Sequence, residues 1–383
     1  MPTYWPILKW RHRELAALRR LSCDDAAWVC PLFEIPLGGW DYDAGRPASR
    51  DGARFRDFVA VLSRAWGQRP CAIDTSRIAL ESDALLSVTV DSIFHQARVH
   101  GCHAKPVAAL GDSPSHIRSI ARVLQIHADG VVVRLRKSEM YGDWPERLAN
   151  FLSHLSAHSS DCDLLIDFES RVHDSPNLLE ADLCAVLAKL PTARLWRSLV
   201  VAATAIPAAL PFDQFWPHGA VARLEITNYL RTAAHPSASS FRWNFSDYAV
   251  QHPNAEMVDP RLVGRALTLV YATADDWTIF PAPGPDAVGI RHVAREWKSI
   301  KDAQPLSLGG GGECWADEQL EWLCDSRIDV DALLAWTQIA TNRHISVTAR
   351  QMRRAFLSNE RTVSPFTPNG KLSCSGARLT GGA

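Results

Sequence analysis

The 383-residue chain has no Cys-x-x-Cys pair, and no His-x-His, His-Glu-x-x-His or His-x-x-x-His set ends a β-type run. It has no Gly-x-Ser-x-Gly elbow and no phosphate-binding loop ending in Gly-Lys-Ser/Thr. These absences remove the sequence grounds for a structural zinc site, a zinc hydrolase, a serine hydrolase or a P-loop enzyme. Neither charge sign is in excess: 41 Lys and Arg face 42 Asp and Glu, a formal net charge of −1. No global field draws the chain to nucleic acid or an acidic membrane, so only a local basic groove could do so. The opening "MPTYWPILKW" lacks a basic stretch followed by an apolar core, and no run is long enough to span a bilayer. A cytoplasmic protein without membrane contact is expected. The nine cysteines are odd in number and several sit within apolar runs, as reduced buried thiols do. His12, His95, His100, His103 and His116 fall on helices or loops and are expected at the surface.

What the chain does have is a repeated short apolar run: "YWPILKW" (4–10), "VCPLFEIP" (29–36), "PCAIDTS" (70–76), "AKPVAAL" (104–110), "GVVVRLR" (130–136), "DLLIDFE" (163–169), "SLVVAAT" (198–204) and "AVARLEIT" (220–227). Runs this apolar suit parallel strands buried on both faces. Helical periodicity fills the gaps, as in "ARFRDFVAVLSRAWG" (53–67) and "SPSHIRSIARVLQIH" (113–127). Eight strand–helix alternations predict an α/β fold, a (β/α)8 TIM-like barrel, over residues 1–303. An open doubly wound sheet would carry a glycine-rich first turn, and "LKWRHREL" has no glycine. After the eighth run an insertion is expected at about 241–283, with a hairpin around "ADD". The helix at 289–302 would close the barrel, a helical extension would occupy 304–360, and 361–383 would be a disordered tail.

Active sites of such barrels lie where the strands end. Six of the eight runs end in charge: Lys9, Glu34, Asp74, Arg134 with Arg136, Asp167 with Glu169, and Arg223 with Glu225. Within each pair the members are two residues apart and so share one face of a strand. Buried charge must pair or meet a wet pocket. Glu34, Asp74, Asp167 and Glu225 are therefore candidate acid/base groups, or oxygen ligands for a divalent ion such as Mg²⁺. Lys9, Arg134, Arg136 and Arg223 are candidates for holding an anion, with Glu169 and Trp243 beside them. The combination points to binding, and hydrolysis, of a phosphate ester: a nucleotide or a nucleic-acid end. Two alternatives stand. One is a non-catalytic interaction module with the charges as a structural lattice. The other is glycoside hydrolysis, for which Trp40, Trp144, Trp243 and Trp277 would supply sugar platforms. Trp66, Trp196, Trp297, Trp322 and Trp336 fall on helical patterns and are assigned to the core.

Tyr4, Pro6, Leu8, Lys9, Arg11 and Glu14, followed by Pro31, Leu32, Phe33 and Glu34 and then "AIDTS", resemble the bacteriophage-type beta protein family over most of residues 1–300. The resemblance singles out Lys9, Glu14 and Glu34. It implies a setting of phage–host conflict and a protein partner such as a nuclease.

Overall fold

The computed structural model describes residues 3–35, 57–80, 83–126, 129–171, 178–190, 195–208, 210, 212–234, 243–253, 268–282, 287–303, 313–325 and 336–362. In chain order the elements are β1 (Tyr4–Lys9), α1 (His12–Arg19), α2 (Cys23–Ala26), β2 (Leu32–Glu34), α3 (Phe58–Trp66), β3 (Cys71–Asp74), α4 (Asp83–Val99), β4 (Ala104–Ala109), α5 (Pro114–Ile126), β5 (Val131–Arg136), α6 (Trp144–Leu155), β6 (Cys162–Ser170), α7 (Leu178–Lys189) and β7 (Ser198–Thr204). There follow α8 (Phe212–Phe215), β8 (Gly219–Ala222), α9 (Leu224–Ala234), β9 (Trp243–Asp247), β10 (Thr268–Ala272), β11 (Asp276–Pro281), α10 (Ala287–Ala303), α11 (Trp315–Asp325) and α12 (Trp336–Thr362).

β1 to β7 pair in parallel in sequence order, and β9 closes the barrel between β7 and β1. The fold is a (β/α)8 barrel. Its eighth strand is not the run at 220–227. Residues 219–222 form β8, which pairs antiparallel with β11 in a separate sheet of order β10-β11-β8, and the rest of that run enters α9. The hairpin around "ADD" is β10–β11. The 289–302 helix, expected to close the barrel, lies in α10, which packs on β11 and α11 instead. The helix against α1 and β1 is α12. Its Trp336, Ile339 and Ala340 join the core beneath the small sheet, and its Ile345, Ala349 and Met352 join the barrel's outer core. Of the extension expected at 304–360, residues 304–312 and 326–335 lie outside the described residues; residues 361 and 362 of the expected tail end α12, and the rest of the tail is not described.

Strand alternation builds two nested cores. Tyr4, Leu8, Phe33, Ile73, Val133, Leu164, Ile166 and Val201 point outward onto helices. Ile7, Leu32, Ala72, Val107, Val132, Leu165 and Val200 fill the barrel itself. The helices match this by spacing: α6 buries Trp144, Leu148, Phe151 and Leu155, three or four residues apart. Of the tryptophans assigned to the core, Trp66, Trp196, Trp297 and Trp336 are buried, but Trp322 is exposed on α11. No described cysteine is in a disulfide, and Cys374 lies outside the described residues. Among the described residues no helix is long and apolar enough to cross a membrane.

Candidate functional site

The barrel interior has a charged layer at each end of its apolar middle. At the N-terminal end Asp163 accepts from Lys105 at 2.7 Å, from Arg197 at 2.5 and 2.9 Å and from Ser198 at 2.7 Å. This plug has four donors on one carboxylate, and burial of that carboxylate is outweighed by its two cations, which hold its pKa down.

At the C-terminal end the inward phase brings Lys9, Glu34, Asp74, Arg134 and Asp167 together with Tyr248, the residue after β9. All six are nearly inaccessible to solvent. Arg134 is the hub. Its Nε donates to Asp167 Oδ2 at 2.9 Å, Nη1 to Glu34 Oε1 at 2.7 Å and Asp74 Oδ2 at 3.0 Å, and Nη2 to the Tyr248 hydroxyl at 2.9 Å. The Tyr248 hydroxyl donates in turn to Asp167 Oδ2 at 2.6 Å, and Lys9 donates to Glu34. Burial raises the pKa of Glu34 and Asp74, but the cations outweigh it: Lys9 and Arg134 lower Glu34, and Arg134 and Arg136 lower Asp74. The Tyr248 hydroxyl is pushed well above its ordinary value, by burial first and then by Asp167. A guanidinium has five N–H donors in a planar fork, and here every nitrogen is committed to this layer. The three carboxylates thus converge on Arg134, which takes the central place that a hard cation would need. Among the described residues no group of three His, Cys, Asp or Glu side chains is placed to hold a metal ion.

Above this layer lies a cavity of about 80 Å³, lined by Glu34, Asp74, Ser76, Arg77, Arg134, Arg136, Glu169, Tyr248 and Pro253. That space holds several water molecules, and it is far below the ~300–1,000 Å³ of sites that engulf a drug-sized ligand. Three acids and three arginines line it, but they are not equally committed. Arg134, Glu34 and Asp74 are spent on the layer beneath. Arg77 forms no ion pair with a described residue. The Arg136 guanidinium comes no closer than 3.7 Å to Asp74, 3.8 Å to Asp112 and 3.7 Å to Glu139, beyond hydrogen-bond reach. Glu169 has no cation within ion-pair distance among the described residues. It sits at φ 55°, where β6 shifts register after Asp167, and its N–H bonds Asp167 Oδ1 at 2.9 Å. A glutamate in the left-handed region is strained by roughly 1 kcal/mol. Half-burial, then the Asp167 charge, raise the Glu169 pKa.

The cavity wall is braced from outside. Thr75, between Asp74 and Ser76, bonds His116 Nε2 at 2.9 Å, and His116 Nδ1 bonds Asp112 Oδ2 at 2.9 Å. His116 is therefore fully buried, not a surface histidine. Glu139 joins the Arg136 N–H at 2.7 Å to the Gly111 N–H at 2.5 Å. A side chain at 111 would put its Cβ 2.7 Å from Glu139 Oε1, so the close approach needs glycine.

The structure does not bring Arg223, Glu225 or Trp243 to this rim. Trp243 opens β9 at the barrel's opposite end and packs on the outer core. Arg223 and Glu225 flank the start of α9, outside the barrel, 3.5 Å from each other and fully buried. Arg223 donates to the Thr273 carbonyl at 2.8 Å and Thr348 Oγ1 at 2.8 Å and lies over Trp277. Nearby, Asp247 accepts from Tyr4 at 2.7 Å and His344 Nε2 at 2.7 Å, and His344 stacks on Trp277. This second polar cluster ties β1, β9, the small sheet and α12 together. Glu14 lies in α1 and accepts from Gln251 at 2.6 Å. Trp144 and Trp277 are buried, Trp40 lies outside the described residues, and no described tryptophan lines the cavity. The sugar-platform reading therefore has no tryptophan face at this site among the described residues.

Sequence reasoning missed Tyr248, Ser76 and Arg77. Tyr248 was within reach: Ser246 and Tyr248 share a phase once 243–247 is taken as a strand. No curated protein matches the chain. A family model described as Beta protein matches residues 4–350, and the chain belongs to that family.

Proposed function

We propose that this member of the Beta protein family holds a phosphoryl-bearing anion at the C-terminal rim of its barrel and hydrolyses the phosphoester there. One observation carries the reading: charge at the rim is split into two tiers. Glu34, Asp74 and Asp167 are bonded to Lys9 and Arg134 below, two cations for three carboxylates, and Arg136 stands 3.7 Å from Asp74 as the third. The polar side chains around the cavity that make no hydrogen bond to a described residue of this layer are Arg77, Arg136, Ser76 and Glu169. Two guanidinium groups suit the oxygens of a phosphate, which they can meet with paired N–H donors. Glu169 keeps its proton to higher pH than an ordinary glutamate, which suits a general acid. Water attacks phosphorus, the bond to the leaving oxygen breaks as the Glu169 proton passes to that oxygen, and of the water's two protons one stays on the new P–OH while the other restores the Glu169 carboxyl through solvent. In this reading Glu34, Asp74 and Asp167, assigned acid/base work from sequence, become the frame, and so do Lys9 and Arg134. In a phage–host setting the ligand is a nucleotide or a nucleic-acid end, and a nuclease partner would produce or consume it.

A second reading has its own observation. Every nitrogen of Arg134 is bonded within the layer, as a structural lattice in a non-catalytic interaction module requires. Thermal melting separates the two. With inorganic phosphate at about a hundred times its Kd, the wild-type protein should gain about 2.7 kcal/mol and melt higher. Arg77→Ala should melt like wild type without phosphate and lose the gain. An unshifted wild type at high phosphate favours the lattice.

A further inference from the structure

We infer that His116 is a positioning residue for the rim site: from outside the barrel it fixes the two arginines, Arg77 and Arg136, that would meet the anion. This deepens the anion reading above and rests on it.

The first ground is connectivity. Arg77 stands in the turn Ser76–Leu80 that follows β3, and Arg136 ends β5. β4 lies between those two strands, so no ladder bond joins them. Strand alternation sends Asp74 into the barrel and Thr75 out toward the helices. There the Thr75 hydroxyl lies 2.9 Å from His116 Nε2 on α5. The Thr75 carbonyl accepts from the Ile78 N–H at 3.0 Å, and Asp74 Oδ1 accepts from the Ser76 N–H at 3.0 Å. The turn that carries Arg77 is thus tied to Thr75, and Thr75 to His116.

The other ring nitrogen leads to Arg136. His116 Nδ1 donates to Asp112 Oδ2 at 2.9 Å, since a carboxylate only accepts. The same oxygen accepts from the Ala109 N–H at 2.8 Å, which pins Asp112 to the end of β4. Asp112 Oδ1 then stands 3.8 Å from Arg136 Nη1, and Glu139 Oε1 stands 3.7 Å from that nitrogen. Arg136 is therefore placed by ion pairs, and His116 aims one of the carboxylates that make them.

The second ground is burial and stiffness. His116 and Thr75 are fully closed to solvent, and the Asp112 side chain is nearly so. Water cannot replace a lost bond in this chain, so each loss leaves a polar group unpaired and a segment free to shift. The imidazole ring is rigid and holds Thr75 and Asp112 at a fixed separation. An asparagine amide reaches only the place of Nδ1, and a glutamine amide only that of Nε2. An ion that meets two guanidinium groups at once needs both within about 0.5 Å of their places.

The test uses the full chain, with inorganic phosphate as probe, calorimetry for affinity and thermal melting for stability. Titrations are run well below the lowest melting temperature, so that only folded protein is read. Thr75→Val deletes the hydroxyl and keeps the branched shape. His116→Asn keeps the Asp112 bond, and His116→Gln the Thr75 bond. Each of the three is expected to weaken phosphate about tenfold, as loss of one charge-assisted contact implies. Thr75→Ser, which keeps the hydroxyl, is expected to bind as wild type does. A purely structural His116 predicts lower melting temperatures with phosphate affinity unchanged, and that result would overturn the inference and leave the anion site standing. Thr75→Ser binding as weakly as Thr75→Val would do the same. No phosphate binding by the wild-type protein would overturn the anion reading and the inference with it.

Discussion

Replacing Arg134 with methionine should destabilise the protein by about 3–5 kcal/mol, the usual cost of removing one partner from a buried ion network. The variant keeps the bulk of the side chain and deletes its charge. Glu34 would still have Lys9, but Asp74 would keep only Arg136 at 3.7 Å as a cation beside the Ser76 N–H, and Asp167 would keep the Tyr248 hydroxyl and the Glu169 N–H with no cation among the described residues. Arg134→Lys should fall between the two. Its ammonium restores the charge but is a compact point with three donors, and it cannot meet Glu34, Asp74, Asp167 and Tyr248 from one plane. Adding Asp167→Asn to Arg134→Met should recover part of the loss, because it removes a carboxylate that has lost its cation. Urea midpoints of the four proteins check this. A methionine variant within about 1 kcal/mol of wild type, the range of an exposed pair, would mean that the layer is not the frame of the barrel mouth.

Between about pH 4.5 and 7 Glu225 should make stability fall as pH rises, against buried His344, whose lowered pKa makes stability rise toward pH 6.5. Burial pushes the Glu225 carboxyl up to about 7, against the pull of Arg223 and with a further push from Asp247. In that window the native state holds the proton that the unfolded chain has released, so each step up in pH favours unfolding. The shift from 4.5 to about 7 corresponds to about 3 kcal/mol, fully expressed above pH 7. Glu225→Gln should therefore overlay wild type at pH 4.5 and exceed it by up to about that amount at pH 8. Glu34, Asp74, Asp163 and Asp247 have lowered pKa values and carry the opposite sign. Their stabilisation is present above the ordinary carboxylate range and is lost only as pH falls below it, so the two windows do not overlap. Melting curves at four or five pH values suffice, and parallel curves for wild type and Glu225→Gln would contradict the account.

The barrel was legible because its first seven strands are apolar on both faces, a pattern that few other elements share. The eighth was not, and the reason is physical. β9 reads "WNFSD", and its inward side carries Asn244 and Ser246 where the other strands carry aliphatics. Ser246 donates to the Trp5 carbonyl at 2.6 Å inside the barrel, a satisfied polar group that hydropathy cannot distinguish from a loop. Conversely, "AVARLEIT" has the composition of a buried strand but splits between an antiparallel edge and a helix start. That error moved Arg223, Glu225 and Trp243 to the wrong place. The inward phase of Lys9, Glu34, Asp74, Arg134, Arg136, Asp167 and Glu169 followed from two-residue spacing and needed no partner information. Which of them remain uncommitted did not follow from spacing. Commitment depends on strand register: Arg134 stands level with Ala109 and Leu165, and its reach decides which acids it saturates. Arg77 lies in a turn with no periodicity to mark it.

The most direct measurement is a crystal structure of the full chain grown with inorganic phosphate at a concentration that saturates its calorimetric binding. The account predicts one phosphate in the rim cavity, in contact with Arg77 and Arg136 and within hydrogen-bond reach of Glu169, above an Arg134 layer with its bonds unchanged. A cavity that holds only water under those conditions, or a phosphate that displaces Glu34 or Asp167 from Arg134, would contradict it.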